Sequence, residues 1–257
     1  MNDPFAEPSD TRQAILGAAF RALCEHGYAD VTIQRIGDEF DKSPSLVYHH
    51  YDGKDDLLID LMGYLLDEFE ASIADGAAAE RSENGAERSE NGAERSEEGG
   101  AAESEVPEVA PEEAFDRSAR EQLDGYLTAA VDPASLDDPY APDERFVTVM
   151  TELRSQAASD EAYRDHFDRS DRVFGEYLER LVREAAAEVP RDAAGATDDD
   201  RSVAASEVAA TLQTFATGGM FRWATTSDEA WVADSRAGID RYLESMLPLV
   251  ETTGSDE

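Results

Sequence analysis

The segment from Lys42 to Tyr51 contains no aspartate or glutamate, although the chain has 59 acidic residues among 257 and a net charge of −37. A surface that lies against phosphates must exclude carboxylates, because each carboxylate adds repulsion and releases no counterion. The segment instead carries the adjacent His49 and His50, and Lys54 follows three residues after its end. This composition favours the binding of a polyanion.

The basic residues are unevenly distributed along the chain. Residues 10–56 hold five of them against nine acidic residues, a net charge of −4, which leaves −33 for the other 210 residues. Lys42 and Lys54 are the two lysines of the whole chain, and the other 20 basic residues are arginines. Such acid-rich, lysine-poor composition is typical of proteins in molar salt, where the Debye length is about 3 Å. We therefore expect a salt-rich cytoplasm, although a GC-rich genome would also favour arginine.

A compact helical module is predicted over residues 11–56. Apolar residues at helical spacing form a first helix, which Gly27 ends. Thr32 is a good N-cap for a short second helix, and Ser43 followed by Pro44 is typical of the start of a third. Two short helices joined by a tight turn fit a helix-turn-helix motif.

The rest of the chain predicts three further segments, and the fold class is all-α. Residues 57–75 form a connecting helix, and residues 76–111 form an acidic insert with a seven-residue repeat that begins at Ala79. The repeat has no large apolar residue to fill a coiled coil, so we expect the insert to be disordered. Residues 112–251 again show helical patterns and no alternating strand pattern.

The N-terminal module carries a set of residues at characteristic spacing: Thr11-Arg12, Ile15-Leu16, Ala18-Ala19, Gly27-Tyr28, Thr32, Ile36, Ser43, Val47-Tyr48, His50-Tyr51, Lys54 and Leu57. This set resembles the signature of TetR-family regulators. The turn departs from the family, which usually has glycine and a small apolar residue where this chain has Asp41 and Lys42. The resemblance implies a dimeric repressor that reads DNA with the third helix.

The same resemblance implies a set of DNA contacts. Base edges in the major groove would be contacted by Ser45, Leu46 and His49. Phosphates would be contacted by Tyr48, His50 and Lys54, and by Arg12 or Thr32 near helix starts. The predicted DNA-binding set also includes the residues that open the third helix, Lys42, Ser43 and Pro44.

The C-terminal half resembles, more weakly, the branch of the family that contains the choline-responsive BetI repressors. The resemblance rests on Glu152-Leu153-Arg154 with the long helix after it, and on the run from Val208 through Gly218-Gly219 to Arg222-Trp223. It implies a homodimer through helices at about 203–225 and 229–250, with Ala209, Ala216, Gly218 and Gly219 allowing close approach. A dimer would place two reading helices about 34 Å apart on a palindromic, double-stranded operator.

A small hydrophobic or cationic effector is a further expectation. The candidate lining is aromatic-rich and consists of Tyr126, Phe146, Met150, Phe167, Phe174, Phe215 and Trp223. The same residues at helical spacing also suit a plain core.

Other functional classes find little support in the sequence. The chain shows no nucleophile elbow, Walker loop or metalloprotease motif, and no cofactor, metal site or enzyme activity is expected. The first ten residues lack a signal-peptide pattern and no apolar run suits a membrane, so we expect a cytoplasmic protein. A constitutive or architectural DNA-binding protein without an effector remains the alternative, and activation remains open beside repression.

Overall fold

The computed structural model describes residues 5, 8–40, 44–89, 117–136, 144–188 and 198–247. These residues form helices and contain no strand, which confirms the all-α prediction. The helices are α1 (Thr11–Asp30), α2 (Ile33–Asp38), α3 (Val47–His50), α4 (Lys54–Ser89), α5 (Ala119–Val131), α6 (Glu144–Gln156), α7 (Glu161–Glu188), α8 (Asp198–Thr225) and α9 (Ala230–Met246). A 3₁₀ turn, Pro44–Leu46, leads directly into α3.

Local side chains begin several of these helices. The Asp10 carboxylate accepts a hydrogen bond from the Gln13 main-chain N–H at 2.8 Å, at the start of α1. The Thr32 hydroxyl caps α2 from the predicted position, accepting from the Arg35 N–H at 3.2 Å. Such caps satisfy N–H groups that have no partner within the helix.

Gly27 interrupts α1 near its end. Its φ of 72° and ψ of 168° leave the helical conformation, and a residue with a Cβ would be strained there. The chain turns at this point and enters the short segment that precedes α2. The glycine therefore kinks α1 three residues before its end at Asp30, whereas the sequence predicted that the helix ends at Gly27.

Two hydrophobic clusters organise the molecule, and α7 contributes to both. The first cluster joins α1, α2, α3 and the start of α4 to residues of α6 and α7, among them Leu153 and the fully buried Tyr163. The second packs α5, the later part of α7, α8 and α9 around residues such as Leu123, Leu178 and Leu212. The N-terminal module thus lies on a helical pair, α6 and α7, that belongs to the C-terminal half.

Two boundaries differ from the sequence predictions. α4 continues to Ser89, so the helix includes the first part of the segment 76–111 that we expected to be disordered. This part is rich in alanine and glutamate and lacks proline, and such residues favour helix without any packing partner. α8 begins at Asp198 rather than near residue 203, because acidic residues suit the positive N-terminal end of a helix. The repeat beyond residue 89 lies outside the described residues.

Among the described helices, none combines the length and the apolar character that crossing a membrane requires.

Candidate nucleic-acid interface

α3 and the turn before it present one buried and one exposed face. Val47 is fully buried, and the Tyr51 ring just beyond the helix is buried as well. Ser45, His49 and His50 are exposed, and 64% of the Tyr48 surface is accessible. The carboxylate-free face is therefore the face that the fold leaves open.

Several predicted contacts fall on this exposed face and others do not. Leu46 is half-buried at the start of α3 and packs against the first cluster. Lys42 and Ser43 lie outside the described residues, and Pro44 is described only by its backbone. The hydroxyl of Thr32 accepts the capping hydrogen bond of α2 and Thr32 is exposed, so its contact with phosphate stays a prediction.

Arg12 is held by a carboxylate of the same module. Its Nε and Nη2 donate to the two Asp60 carboxylate oxygens at 3.0 and 2.6 Å, a bidentate pair between α1 and α4. Tyr51 donates its hydroxyl to Asp60 Oδ2 at 2.6 Å. Asp60, on α4, thus contacts both α1 and Tyr51, the residue that follows α3.

This network shifts the titration of its members. Burial raises the pKa of Tyr51, and the hydrogen bond to Asp60 raises it further. Burial alone raises the pKa of Asp60, but the hydrogen bonds from Arg12 and Tyr51 and the charge of Arg12 outweigh it, so the pKa lies below its ordinary value. Asp60 is therefore stabilised as a carboxylate.

Lys54 is engaged by Tyr28 at the other side of the module. Its Nζ donates to the Tyr28 main-chain carbonyl at 3.0 Å and lies 4.1 Å from the centroid of the Tyr28 ring. The Tyr28 hydroxyl donates to Asp55 Oδ1 at 2.9 Å. Arg12 and Lys54, which we expected to contact phosphates, therefore both have partners within the protein.

Tyr28 also joins the N-terminal helical module, residues 11–56 (below, the reading module), to the C-terminal half. Its main-chain N–H donates to Glu152 Oε2 of α6 at 2.6 Å. The close approach depends on Gly27, since a Cβ at that position would lie 3.2 Å from the same oxygen. From α7, Tyr163 donates its hydroxyl to Asp55 Oδ1 at 2.9 Å, so Asp55 accepts from two tyrosines.

Sequence reasoning missed the residues that build this junction. Glu152 entered the sequence analysis only as part of the weaker resemblance of the C-terminal half, and Asp55 did not enter it. No spacing in the sequence indicates that either carboxylate meets Tyr28. We refer below to Tyr28, Lys54, Asp55, Glu152 and Tyr163 as the Tyr28 junction.

The predicted effector lining is distributed over both hydrophobic clusters and the surface, and its role in binding a ligand stays a prediction. Phe146, Met150 and Phe167 belong to the first cluster beside α1, with Phe146 6.3 Å from the ring of Phe20. Phe215 lies on the outside of α8, 37% exposed. Helical periodicity reports that a residue is apolar, but not which of two clusters it enters.

Tyr126 and Phe174 do lie together, in an aromatic group with Phe69 and Tyr177. Phe69 stacks on Phe174 with centroids 4.6 Å apart, and Tyr126 lies 6.0 Å from Phe174. Burial raises the pKa of Tyr126, and the nearby negative charge of Asp171 raises it further. We call these four residues, from α4, α5 and α7, the aromatic group.

A polar network borders the aromatic group. Arg154 of α6 holds Asp171 of α7 through two hydrogen bonds of 2.9 and 2.6 Å. The Gln213 side chain of α8 donates to the Asp171 main-chain carbonyl at 2.8 Å. Trp223 is half-buried against the second cluster near the end of α8. Helices α6, α7 and α8 are thus tied together beside Tyr126.

The outer surface of α8 and α9 carries exposed apolar side chains. Phe221 is 58% exposed and Met246 is 44% exposed, and the ring of Phe215 packs edge-on against Tyr242 at 5.5 Å. A Cβ at Gly218 would meet nothing within 4 Å. This face is a suitable surface for a partner.

The other small residues that we expected on this face point inward. Ala209 and Ala216 are buried inside the subunit. A Cβ at Gly219 would lie 2.6 Å from a methyl group of Val131 and 3.0 Å from the Ala130 carbonyl oxygen. Consecutive positions on a helix are turned by about 100°, so Gly218 and Gly219 cannot serve the same surface. Their assignment to a dimer contact is wrong except for Gly218, whose role remains a prediction.

Known proteins resemble the N-terminal module most clearly. Residues 15–61 match the family model described as "Bacterial regulatory proteins, tetR family". The HTH-type transcriptional regulator BetI of Brucella anthropi is 36% identical over 72 residues, 28% of this chain and 36% of that protein. The HTH-type transcriptional repressor AcnR of Corynebacterium glutamicum is 36% identical over 55 residues, 21% of this chain and 29% of that protein. The chain thus spans about a third of the length of these curated relatives.

Solved structures extend the likeness beyond that module. A TetR transcription regulator from Haloarcula marismortui is 28% identical, with a TM-score of 0.60, over 93% of this chain and 99% of that one. The source of this neighbour does not establish the source of our chain, whose expected halophilic origin stays a prediction. Together, the matches support one assignment: this chain carries a TetR-type helix-turn-helix domain on the all-helical fold of TetR-family transcription regulators.

Proposed function

We propose that the chain is a ligand-responsive transcription regulator, most simply a repressor, which binds a palindromic operator as a homodimer. The exposed, carboxylate-free face of α3 carries this proposal, because a buried Val47 leaves Ser45, Tyr48, His49 and His50 open to a DNA groove. The match to a curated relative named as a repressor supports repression.

The roles on this face follow from side-chain chemistry. The exposed hydroxyl of Tyr48 and the imidazole of His50 suit phosphate oxygens, whereas Ser45, Leu46 and His49 suit base edges. Phosphate contacts position the helix and base contacts carry the sequence preference.

Dimerisation is proposed through the outer faces of α8 and α9. Exposed Phe221 and Met246, with the open surface at Gly218, supply an apolar and closely approachable surface. The replacement Phe221→Glu should convert the dimer to a monomer in sedimentation velocity and abolish binding to a two-site duplex. The matched replacement Glu207→Gln, at an exposed position of the same helix, should leave both unchanged. A wild type that sediments as a monomer at assay concentrations contradicts this part of the proposal.

The effector is proposed to lie beside the aromatic group. Tyr126 and Phe174 supply aromatic faces suited to a small hydrophobic or cationic molecule, beside the ion pair that Asp171 forms with Arg154. Binding there would act as a population shift, stabilising a dimer whose reading helices no longer match the operator.

Selection of genomic DNA tests the central proposal. Full-length protein is mixed with genomic fragments in molar potassium chloride, and the bound fragments are sequenced and footprinted. A regulator yields one palindromic footprint that a metabolite extract relieves. Binding spread evenly over all fragments supports the architectural alternative instead, and no binding to any duplex refutes DNA recognition.

A further inference from the structure

All the basic side chains that the structure describes within residues 10–56 donate to acceptors of the protein itself. They are Arg12, Arg21, Arg35 and Lys54. Arg35 donates to the Asp30 carbonyl at 2.5 Å, and Arg21 donates to the Glu39 carbonyl at 3.2 Å. A module that should attract a polyanion thus uses its cations internally.

Arg12 shows the arrangement in most detail. A guanidinium meets a carboxylate bidentately in a fixed plane, so Arg12 fixes the position of Asp60 between α1 and α4. Asp60 in turn accepts from the hydroxyl of Tyr51, whose main-chain N–H closes α3 on Val47 at 3.0 Å. The orientation of the reading helix therefore depends on a charge pair that lies outside it.

Lys54 serves the opposite end of the same module. Its ammonium is held by both the carbonyl and the ring face of Tyr28, just after the positive φ of Gly27. Tyr28 precedes α2 and is fixed from the C-terminal half by Glu152. Lys54 thus connects the first turn of α4 to the entrance of the helix-turn-helix motif.

We infer that Arg12 and Lys54 are positioning residues for DNA reading and do not neutralise phosphates. This inference rests on the proposed function and changes its electrostatics. Each phosphate neutralised by a protein cation contributes about −0.9 to the slope of log affinity against log salt concentration. Phosphate contacts from both residues in both subunits would contribute about −3.6 to that slope. Without these phosphate contacts, the affinity for DNA falls less steeply as the salt concentration rises. A shallow dependence suits a chain whose net charge is −37 and which we expect to work in a salt-rich cytoplasm.

The salt dependence of variants distinguishes the two roles. Binding is measured by fluorescence anisotropy over a potassium chloride series, with a duplex selected by the full-length protein from a random library and a shuffled duplex of equal composition. Arg12→Gln and Lys54→Met should bind the selected duplex about tenfold more weakly, with little change on the shuffled one, by analogy with loss of one well-placed base contact. Their slopes should equal that of the wild type.

Arg183→Gln is the matched control for the lost charge. Arg183 is exposed on α7, pairs with Glu179 and lies outside the reading module. It should leave the slope and the discrimination between the two duplexes unchanged. A slope shallower by about 1.8 in Arg12→Gln or Lys54→Met, two contacts per dimer, overturns the positioning role.

Two milder variants keep the test decisive if those proteins unfold. Tyr51→Phe removes one hydroxyl and leaves the charge of Arg12, so discrimination should fall at constant slope. Asp60→Asn removes the charge that holds Arg12, and the positioning role again predicts lower discrimination at constant slope. Unchanged discrimination between the selected and the shuffled duplex in both variants would overturn the inference. A wild type that binds no duplex refutes the proposed function itself.

Discussion

Removing the Glu152 carboxylate should destabilise the folded protein, because this carboxylate joins α6 to the N-terminal module at Tyr28. In Glu152→Ala the Tyr28 N–H loses the charged acceptor that lies 2.6 Å away, in a part-buried position. A hydrogen bond to a charged group contributes about 1.5–3 kcal/mol, and a donor left without a partner adds its desolvation cost. Because this junction is partly open to solvent, we expect a loss near the lower end, about 1.5–2 kcal/mol. For a chain of this size that corresponds to about 3–8 °C in Tm.

The assay is urea and thermal unfolding followed by circular dichroism in molar potassium chloride. Glu176→Ala is the matched control, because Glu176 is an exposed glutamate on α7 and the same gain in helix propensity applies. The control should change the free energy of unfolding by less than about 0.5 kcal/mol. Glu152→Gln, which keeps an oxygen acceptor without the charge, should lie between Glu152→Ala and the wild type. Equal stability of Glu152→Ala and Glu176→Ala would refute the role of the junction.

Three further outcomes follow from the contacts described above. Gly219→Ala should lower the free energy of unfolding by about 1–3 kcal/mol, because its Cβ would lie 2.6 Å from a methyl group of α5. Gly218→Ala should not lower it, because a Cβ there meets open space. Equal denaturation midpoints of the two variants would contradict this packing. The pKa of Asp60 is lower in the folded state, so its stabilisation is present above about pH 4 and is lost as the pH falls through the folded value. In acid titrations, the difference in free energy of unfolding between wild type and Asp60→Asn should therefore shrink below that pH. A difference that grows below that pH would contradict the role of the Asp60 carboxylate. In binding assays Tyr48→Phe should weaken all duplexes alike and His49→Ala should change which bases are tolerated, and similar relaxation in both would reject these roles.

Much of the fold could be predicted from neighbouring residues. Thr32 begins α2, and Gly27 interrupts α1, because both effects act within a few positions of the chain. His49 and His50, which the resemblance implied as DNA contacts, are exposed, and Val47 beside them is buried. These features depend on local backbone geometry and on the sign of a side chain's hydration energy.

The candidate effector site could be predicted only in part. Tyr126 and Phe174 come together, but Phe146 packs beside α1 and Phe215 lies on the surface. Gly218 and Gly219 are neighbours in sequence and serve opposite sides of α8. Composition indicates that an aromatic or a small residue is needed, whereas helix packing angles decide which neighbour it meets.

By itself, then, the sequence determined the class of fold, local signals such as the cap at Thr32 and the interruption at Gly27, and a carboxylate-free face on α3. Only the tertiary structure decided what the charges of that module do. Arg12 meets Asp60, 48 positions away, and Tyr28 meets Glu152, 124 positions away. The energy of such a pair depends on the distance between charges and on the solvent that burial removes, and packing between distant helices sets both.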